Sequence, residues 1–350
     1  MTAMLSPVGG RVTLKQGGGG RAMRALIERL FVRDFATLPQ PSGELGVGIG
    51  AMDDGAAFRI GDEWLVMTTD SHVIHPIFFP GGDIGRLSIC GTVNDLAMMG
   101  ATNVLGLTCS VILEEGFGLE SLETVQRSML EACREARAPV VTGDTKVMGR
   151  RELDGIVINT CGIGLTRTLV RDNGLSFGDR ILVTGSIAEH GLAVMAARHS
   201  IEIDGDLVSD VAPLNGLVAS VLEAFPGAIT AMKDPTRGGV ASALHEMASK
   251  SGVGMLLEER AIPILPAARA VGELLGIDPL HVANEGKALM GVRADAANDV
   301  LALIRSHPLG RRAALIGTCI EERKGSIVLD TGFGKRLLAE PEGEPLPRIC

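Results

Sequence analysis

From Trp64 onward, short apolar strings ending at Gly, Asp or Thr alternate with stretches whose apolar residues recur at three-and-four spacing, and the alternation runs through the chain twice. Strings of that kind read as strands and the spaced stretches as helices, so the pattern predicts an α+β protein of two similar units. In the first unit WLVMTT (64–69) is a strand ending at Asp70, and DIGRLSICGTVNDLAMMG (83–100) is a helix with Ile84, Leu87 and Gly91 on one stripe. NVLGLTCSVIL (103–113) is the next strand, Leu122, Val125, Met129, Cys133 and Ala136 mark a helix, and PVVTG (139–143) and GIVINTCGIG (155–164) are further strands. The turn cluster Asp172-Asn173-Gly174 breaks the pattern and marks the domain boundary. Beyond it come RILVTG (180–185), helices near 189–199 and 238–250, VGMLLEE, GKALMGV, a helix near 295–306, AALIGTC and SIVLD.

Two domains also follow from length, because 350 residues exceed what one growing core serves. The predicted division is an arm and helix at 1–41, an N-terminal domain at 42–170, a C-terminal domain at 171–336 and a tail at 337–350. The run Gly17–Gly20 predicts a mobile arm leading into a helix from Arg21 to Phe31, with Ala22, Leu26, Ile27 and Leu30 on one face. The tail, with Pro341, Pro345 and Pro347, reads as extended and ends on the thiol of Cys350. Twelve such residues reach roughly 37 Å, enough to cross a domain.

No apolar run approaches a membrane span and no signal-peptide core is present, which predicts a cytoplasmic protein without a membrane partner. The six cysteines are scattered without a CxxC pair, against both a disulfide framework and a zinc site. A net charge of −9 with 3% aromatics and no Tyr lacks the basic groove and stacking platform of a nucleic-acid binder. An acidic chain that binds phosphates does so through metal ions and backbone amides.

Asp-bearing turns recur just past the apolar strings: Asp53-Asp54-Gly55, Thr68-Thr69-Asp70-Ser71, Thr92-Val93-Asn94-Asp95 and Thr142-Gly143-Asp144-Thr145-Lys146. A single Asp of this kind usually caps a turn. Four brought together would repel one another unless a cation sat between them, and hard oxygens with vacant water positions suit Mg²⁺ holding a triphosphate. Neither Gly286-Lys287 nor Gly334-Lys335 is followed by Ser or Thr, so there is no phosphate-binding P-loop. KDPTRGG (233–239) opens a helix with amides and Arg237 placed to face phosphate oxygens, and ANEGK (283–287) puts Glu285 and Lys287 just before a strand.

Together TTDSHVIHPIFFPGGDIG, GTVNDLAMMGA, VVTGDTKV, INTCGIG, RGGV, ANEGK and the closing PRIC resemble the HypE family of hydrogenase maturation proteins, within the PurM-like, AIR synthase-related family of ATP-using enzymes. The resemblance runs from the arm to Cys350. It implies a two-domain PurM-like fold with an extended C-terminal tail, a homodimer through the N-terminal domains, and ATP and Mg²⁺ as cofactors. It also implies that Cys350 receives a carbamoyl group from HypF and, at the expense of ATP, dehydrates it to a thiocyanate whose cyanide passes to HypC and HypD for the NiFe-hydrogenase iron. By the same resemblance Lys146 and Glu285 match the deprotonating pair. Asp53 or Asp54, Asp70, Asp95 and Asp144 match nucleotide and Mg²⁺ positions, with Asp54, Asp70 and Asp95 as metal positions. Asn94 and Arg237 match nucleotide contacts.

The chemistry stands without the name. A thiocarbamate oxygen leaves only once phosphorylated, and removal of the two nitrogen protons then expels phosphate and leaves S–C≡N, which asks for an aimed γ-phosphate and a base. Two rival expectations keep parts of this picture: a small-molecule kinase or synthetase of the same fold, and a non-catalytic carrier of the carbamoyl group.

Overall fold

The computed structural model describes residues 11–203, 207–343 and 348–350; residues 344–347 of the predicted tail lie outside them. The arm helix is one rod: α1 (Gly20–Ile27), a π-helical turn (Glu28–Val32) and α2 (Arg33–Phe35) follow without a break. The arm is held rather than loose. Arg21 N and Ala22 N donate to Pro341 O and Glu342 O at 3.1 Å each, and a Cβ at Gly20 would lie 2.4 Å from Pro341 O.

The N-terminal domain is a six-stranded sheet of β1 (Gly46–Val47), β2 (Ala56–Ile60), β3 (Glu63–His72), β6 (Asn103–Glu114), β7 (Val140–Met148) and β8 (Ile156–Thr166), ordered β1-β2-β3-β8-β6-β7. A small hairpin, β4 (Phe78–Phe79) with β5 (Gly82–Asp83), precedes α3 (Ile84–Met98), which packs with α4 (Leu119–Ala136) on one face of the sheet. Asp83 caps α3 by accepting from Gly85 N and Arg86 N. Along β3 the buried residues Val66, Thr68 and His72 alternate with Met67, Thr69 and Ser71 on the other face, the period-two pattern of a half-covered sheet. That other face has no covering layer, and Met67 (38%) and Ile163 (37%), paired across β3 and β8, remain exposed. The parallel edge strand β7 is exposed along nearly its whole length.

The C-terminal domain is a seven-stranded mixed sheet: β9 (Arg180–Val183), β10 (Ile229–Lys233), β11 (Gly254–Glu258), β12 (Leu289–Val292), β13 (Ala314–Ile320), β14 (Ile327–Asp330) and β15 (Lys335–Leu338), ordered β10-β12-β9-β13-β11-β14-β15. Its helices are α5 (Glu189–Arg198), α6 (Asn215–Ala224), α7 (Gly239–Ser251), α8 (Pro266–Leu275) and α9 (Ala297–Ser306). The domains meet along α3, every residue of which is buried except Arg86 and Asp95, because its second face packs on α6 and β10. A helix apolar all round is what such a double cover requires. No described helix is long and apolar enough to cross a membrane.

Candidate active site

Between the domains lies a cavity of about 730 Å³, walled by α1, the loop before β2, the end of β3, α3, the 233–237 loop, α7, Glu285 and Cys350. Asp53 and Asp54 enter it from a turn in which Met52 is left-handed (φ 49°). Asp70 sits two residues from the end of β3 and Asp95 on the cavity side of α3. From the second domain Lys233 ends β10, and Asp234 and Arg237 follow it.

Each of these carboxyls has a distinct charge environment. Burial, with Asp172 and Asp54 nearby, pushes Asp53 up to about 7. Burial and the neighbouring Asp54 push Asp234 up to about 8. Asp95 is raised well above the ordinary range by burial and by Asp234 and Asp70. Hydrogen-bond counting agrees: Thr68 Oγ1 lies 2.8 Å from Asp54 O and 2.9 Å from Asp95 Oδ2. One hydroxyl has one proton, so both oxygens are satisfied only if Asp95 carries its own. Asp70 goes the other way. Burial pushes it up, but the His72 ring at 3.2 Å and Arg237 outweigh that and hold it down at about 2. Gly91 makes room for the ring, since a Cβ there would lie 2.8 Å from His72 Nε2.

Lys233 is buried and bonded to Asp54, with Glu246 at 3.6 Å and Asp172 at 3.8 Å. Burial disfavours its charge, yet these three carboxylates more than compensate and keep it cationic. Glu285, 3% exposed, is raised well above its usual range by burial and by Asp234 and Asp70. Its Oε1 and the Oδ2 of Asp54 are buried without a hydrogen-bond partner. Backbone contacts fix Glu285: its N donates to Asp210 Oδ1 at 3.1 Å and its O accepts from Asn94 Nδ2 at 3.2 Å. Cys350 reaches the same cavity because the end of the tail is docked against residues 73–75.

The structure therefore brings together Asp53, Asp54, Asp70, Asp95, Arg237, Glu285 and Cys350. It sets three expected site residues apart. Asn94 does not line the cavity: its amide donates to Ala212 O and Glu285 O and accepts from Leu214 N. Helical phase is the reason, since neighbours on a helix point about 100° apart and Asp95 takes the cavity side. Asp144 and Lys146 lie on β7, pair with each other at 3.0 Å, and are 60% and 66% exposed. Their register partners Ser110 and Ile112 place them on the uncovered face of the sheet. Among the described residues no group of three His, Cys, Asp or Glu is arranged to hold a metal ion by itself. The sequence assigns no role to Lys233, Asp234, Thr68 or His72, although Thr68 stands in the Asp70 turn and Lys233 and Asp234 stand inside KDPTRGG.

Family models for AIR synthase related proteins match in two parts, the N-terminal domain over residues 52–166 and the C-terminal domain over 177–330. The chain is 46% identical over 349 residues to the carbamoyl dehydratase HypE of Rhizobium leguminosarum bv. viciae, covering 99% of this chain and 97% of that one. A crystal structure of a HypE-HypF complex matches with a TM-score of 0.82 at 41% identity, covering 91% of this chain and 100% of that chain. A structure of HypE in complex with ATP matches with a TM-score of 0.78 at 41% identity, covering 96% and 99%.

Proposed function

This chain belongs to the AIR synthase related family and, within it, to the HypE carbamoyl dehydratases, and from that premise we propose how its own residues carry the reaction. The chain is an ATP-dependent carbamoyl dehydratase of hydrogenase maturation: an S-carbamoyl group on Cys350, received from HypF, becomes a thiocyanate. The observation that carries the residue assignment is the presence of Cys350, Glu285 and the carboxylate cluster in one cavity.

In the first step the thiocarbamate oxygen attacks the γ-phosphorus of ATP and ADP leaves. Loss of both nitrogen protons then drives cleavage of the C–O bond, and phosphate departs with the original carbonyl oxygen, leaving S–C≡N. Glu285 is placed to take a proton, and a carboxylate whose conjugate acid is weak is the stronger base. Arg237 faces the phosphate charge. Asp54, Asp70 and Asp95 would hold Mg²⁺, which would neutralise the triphosphate. The fit rests on hard oxygen donors and the unpartnered, buried Oδ2 of Asp54. Mg²⁺ usually keeps several waters and phosphate oxygens in its shell beside its carboxylates, so a cluster without a preformed three-ligand cage suits it.

Lys146 enters through a second copy. Met67, Thr69 and Cys161 line the cavity mouth and belong to the uncovered face of the sheet, the same face that carries Asp144 and Lys146. A homodimer formed over that face closes the mouth and offers one protomer's Lys146 to its partner's cavity. The protein acts in the cytoplasm and hands its cyanide to HypC and HypD. Incubation with HypF, carbamoyl phosphate and ATP tests the reading by intact mass at the C-terminal peptide. A carbamoyl adduct that loses one water is expected; an adduct that persists unchanged with ATP overturns it.

A further inference from the structure

Three carbonyls hold the end of the tail in place. Cys350 O accepts from Val73 N at 3.3 Å, and Arg348 O accepts from His75 N at 3.2 Å and from the Arg198 guanidinium at 2.7 Å. Ile349 O lies 2.7 Å from His190 Nε2, and the Ile349 side chain is 1% exposed in the core. His190 does not line the cavity; it stands at the start of α5, wholly buried, with Phe79 packed edge-on at 5.3 Å.

The direction of the His190 bond is fixed by Ile349 O, a carbonyl that can only accept, and the other neighbour of the ring agrees. Ser209 Oγ accepts from Val211 N at 3.1 Å and lies 2.8 Å from His190 Nδ1. Its single hydroxyl proton is free to point at Nδ1, which makes Nδ1 the acceptor and leaves the ring proton on Nε2. Burial lowers the His190 pKa and favours this neutral form. The Nε2–H then donates to Ile349 O, one residue before the sulfur that carries the substrate. Because a displacement of about 1 Å at a reacting group can lower a rate roughly a hundredfold, a bond at that point in the chain controls aim as well as binding.

We propose that His190 is a positioning residue for the dehydration: the Ser209–His190–Ile349 relay aims the loaded Cys350 into the carboxylate cavity. Loading requires only that HypF reach the tail, so it does not depend on this bond. The inference rests on the function proposed above and adds a residue outside the cavity to it.

The test uses the full chain, loaded by HypF, freed of it, and followed by intact mass in a single turnover with ATP. His190→Ala is expected to slow loss of water at least about tenfold, the equivalent of one lost buried hydrogen bond. Its ATP affinity and extent of loading should stay at the parent values, while alkylation of Cys350, read by peptide mapping, accelerates. His190→Gln, which restores a donor near Nε2, should remain within about threefold of the parent. Dehydration by His190→Ala at the parent rate overturns the inference, as does a Gln variant as slow as the Ala variant. Equal losses of stability, ATP affinity and rate would reduce His190 to a core residue and overturn it too. If His190→Ala does not fold, Ser209→Ala decides: slower dehydration supports the relay and the parent rate refutes it. Failure of the parent itself to convert its adduct would sink the proposed function instead, which keeps the two outcomes apart.

Discussion

Replacing Asn94 by alanine is expected to cost the fold about 3 kcal/mol and to leave ATP affinity within about twofold of the parent. The side chain is 1% exposed and makes three bonds, donating to Ala212 O at 3.1 Å and Glu285 O at 3.2 Å and accepting from Leu214 N at 2.8 Å. All three partners belong to the C-terminal domain, whereas Asn94 is on α3. Truncation orphans Leu214 N and Ala212 O fully. Glu285 O keeps a long bond from Ala212 N at 3.5 Å. Two orphaned buried groups at about 1–3 kcal/mol each bracket the figure, and a water admitted to the vacated space keeps it near the lower half. Urea unfolding measures the loss, with circular dichroism for both domains and the single tryptophan, Trp64, for the first. Nucleotide titration measures the affinity. An unchanged midpoint with ATP binding weakened roughly tenfold (about 1.4 kcal/mol) would refute the domain-tie argument and make Asn94 a nucleotide contact.

Cys350→Ala should keep its melting transition and its ATP affinity while accepting no carbamoyl label from HypF; a labelled variant would contradict the tail assignment. Glu285→Gln should accept the carbamoyl group and hold it, so intact mass in the presence of ATP should show the adduct persist, and normal loss of water would remove Glu285 from the mechanism. Ile163→Asp places a charge at the middle of the uncovered sheet face and should convert a dimer to a monomer in analytical ultracentrifugation; an unchanged sedimentation coefficient would move the interface elsewhere. Lys233→Met strands the carboxylate of Asp54 and should lower stability by about 3–5 kcal/mol. Burial already raises the folded-state pKa of Asp54 and loss of its cation raises it further, so its burden grows as pH rises through that value, and the deficit in denaturant melts should be smaller near pH 5 than near pH 8. A deficit independent of pH would deny that reasoning.

The strings that set the rhythm of the sequence are the strands of the structure because apolar run length and Gly or Asp stops are local properties. Position within the site is not local. The Asn94-Asp95 pair was legible as a polar step in an otherwise apolar helix, but which of the two meets the cavity depends on the phase of α3 between two domains. The turn expected at Asp144-Thr145-Lys146 is strand, because β7 runs on to Met148; Asp144 and Lys146, two apart, therefore share one side and pair at 3.0 Å. That their side is the uncovered one follows only from the sheet order. His190 lies within a predicted helix, yet its partner Ile349 is 159 positions away, and no spacing rule spans that distance.

The charge state of the cavity suits a carbamoylated tail. Burial and neighbouring carboxyls push Asp95 and Glu285 well above their ordinary range, Asp53 and Asp234 are raised to about 7 and 8, and Lys233 is matched by Asp54. Asp70, beside His72 and Arg237, and Glu246, beside Lys233 and Arg24, are instead held below that range despite burial. An isolated anion in so buried a pocket is costly, so the site suits an uncharged substituent on the sulfur. A thiocarbamate is uncharged, and its N–H groups can donate to carboxyl oxygens such as the unpartnered Oε1 of Glu285. The backbone contacts at residues 348–350 hold loaded and bare tails alike, so discrimination falls to the sulfur substituent.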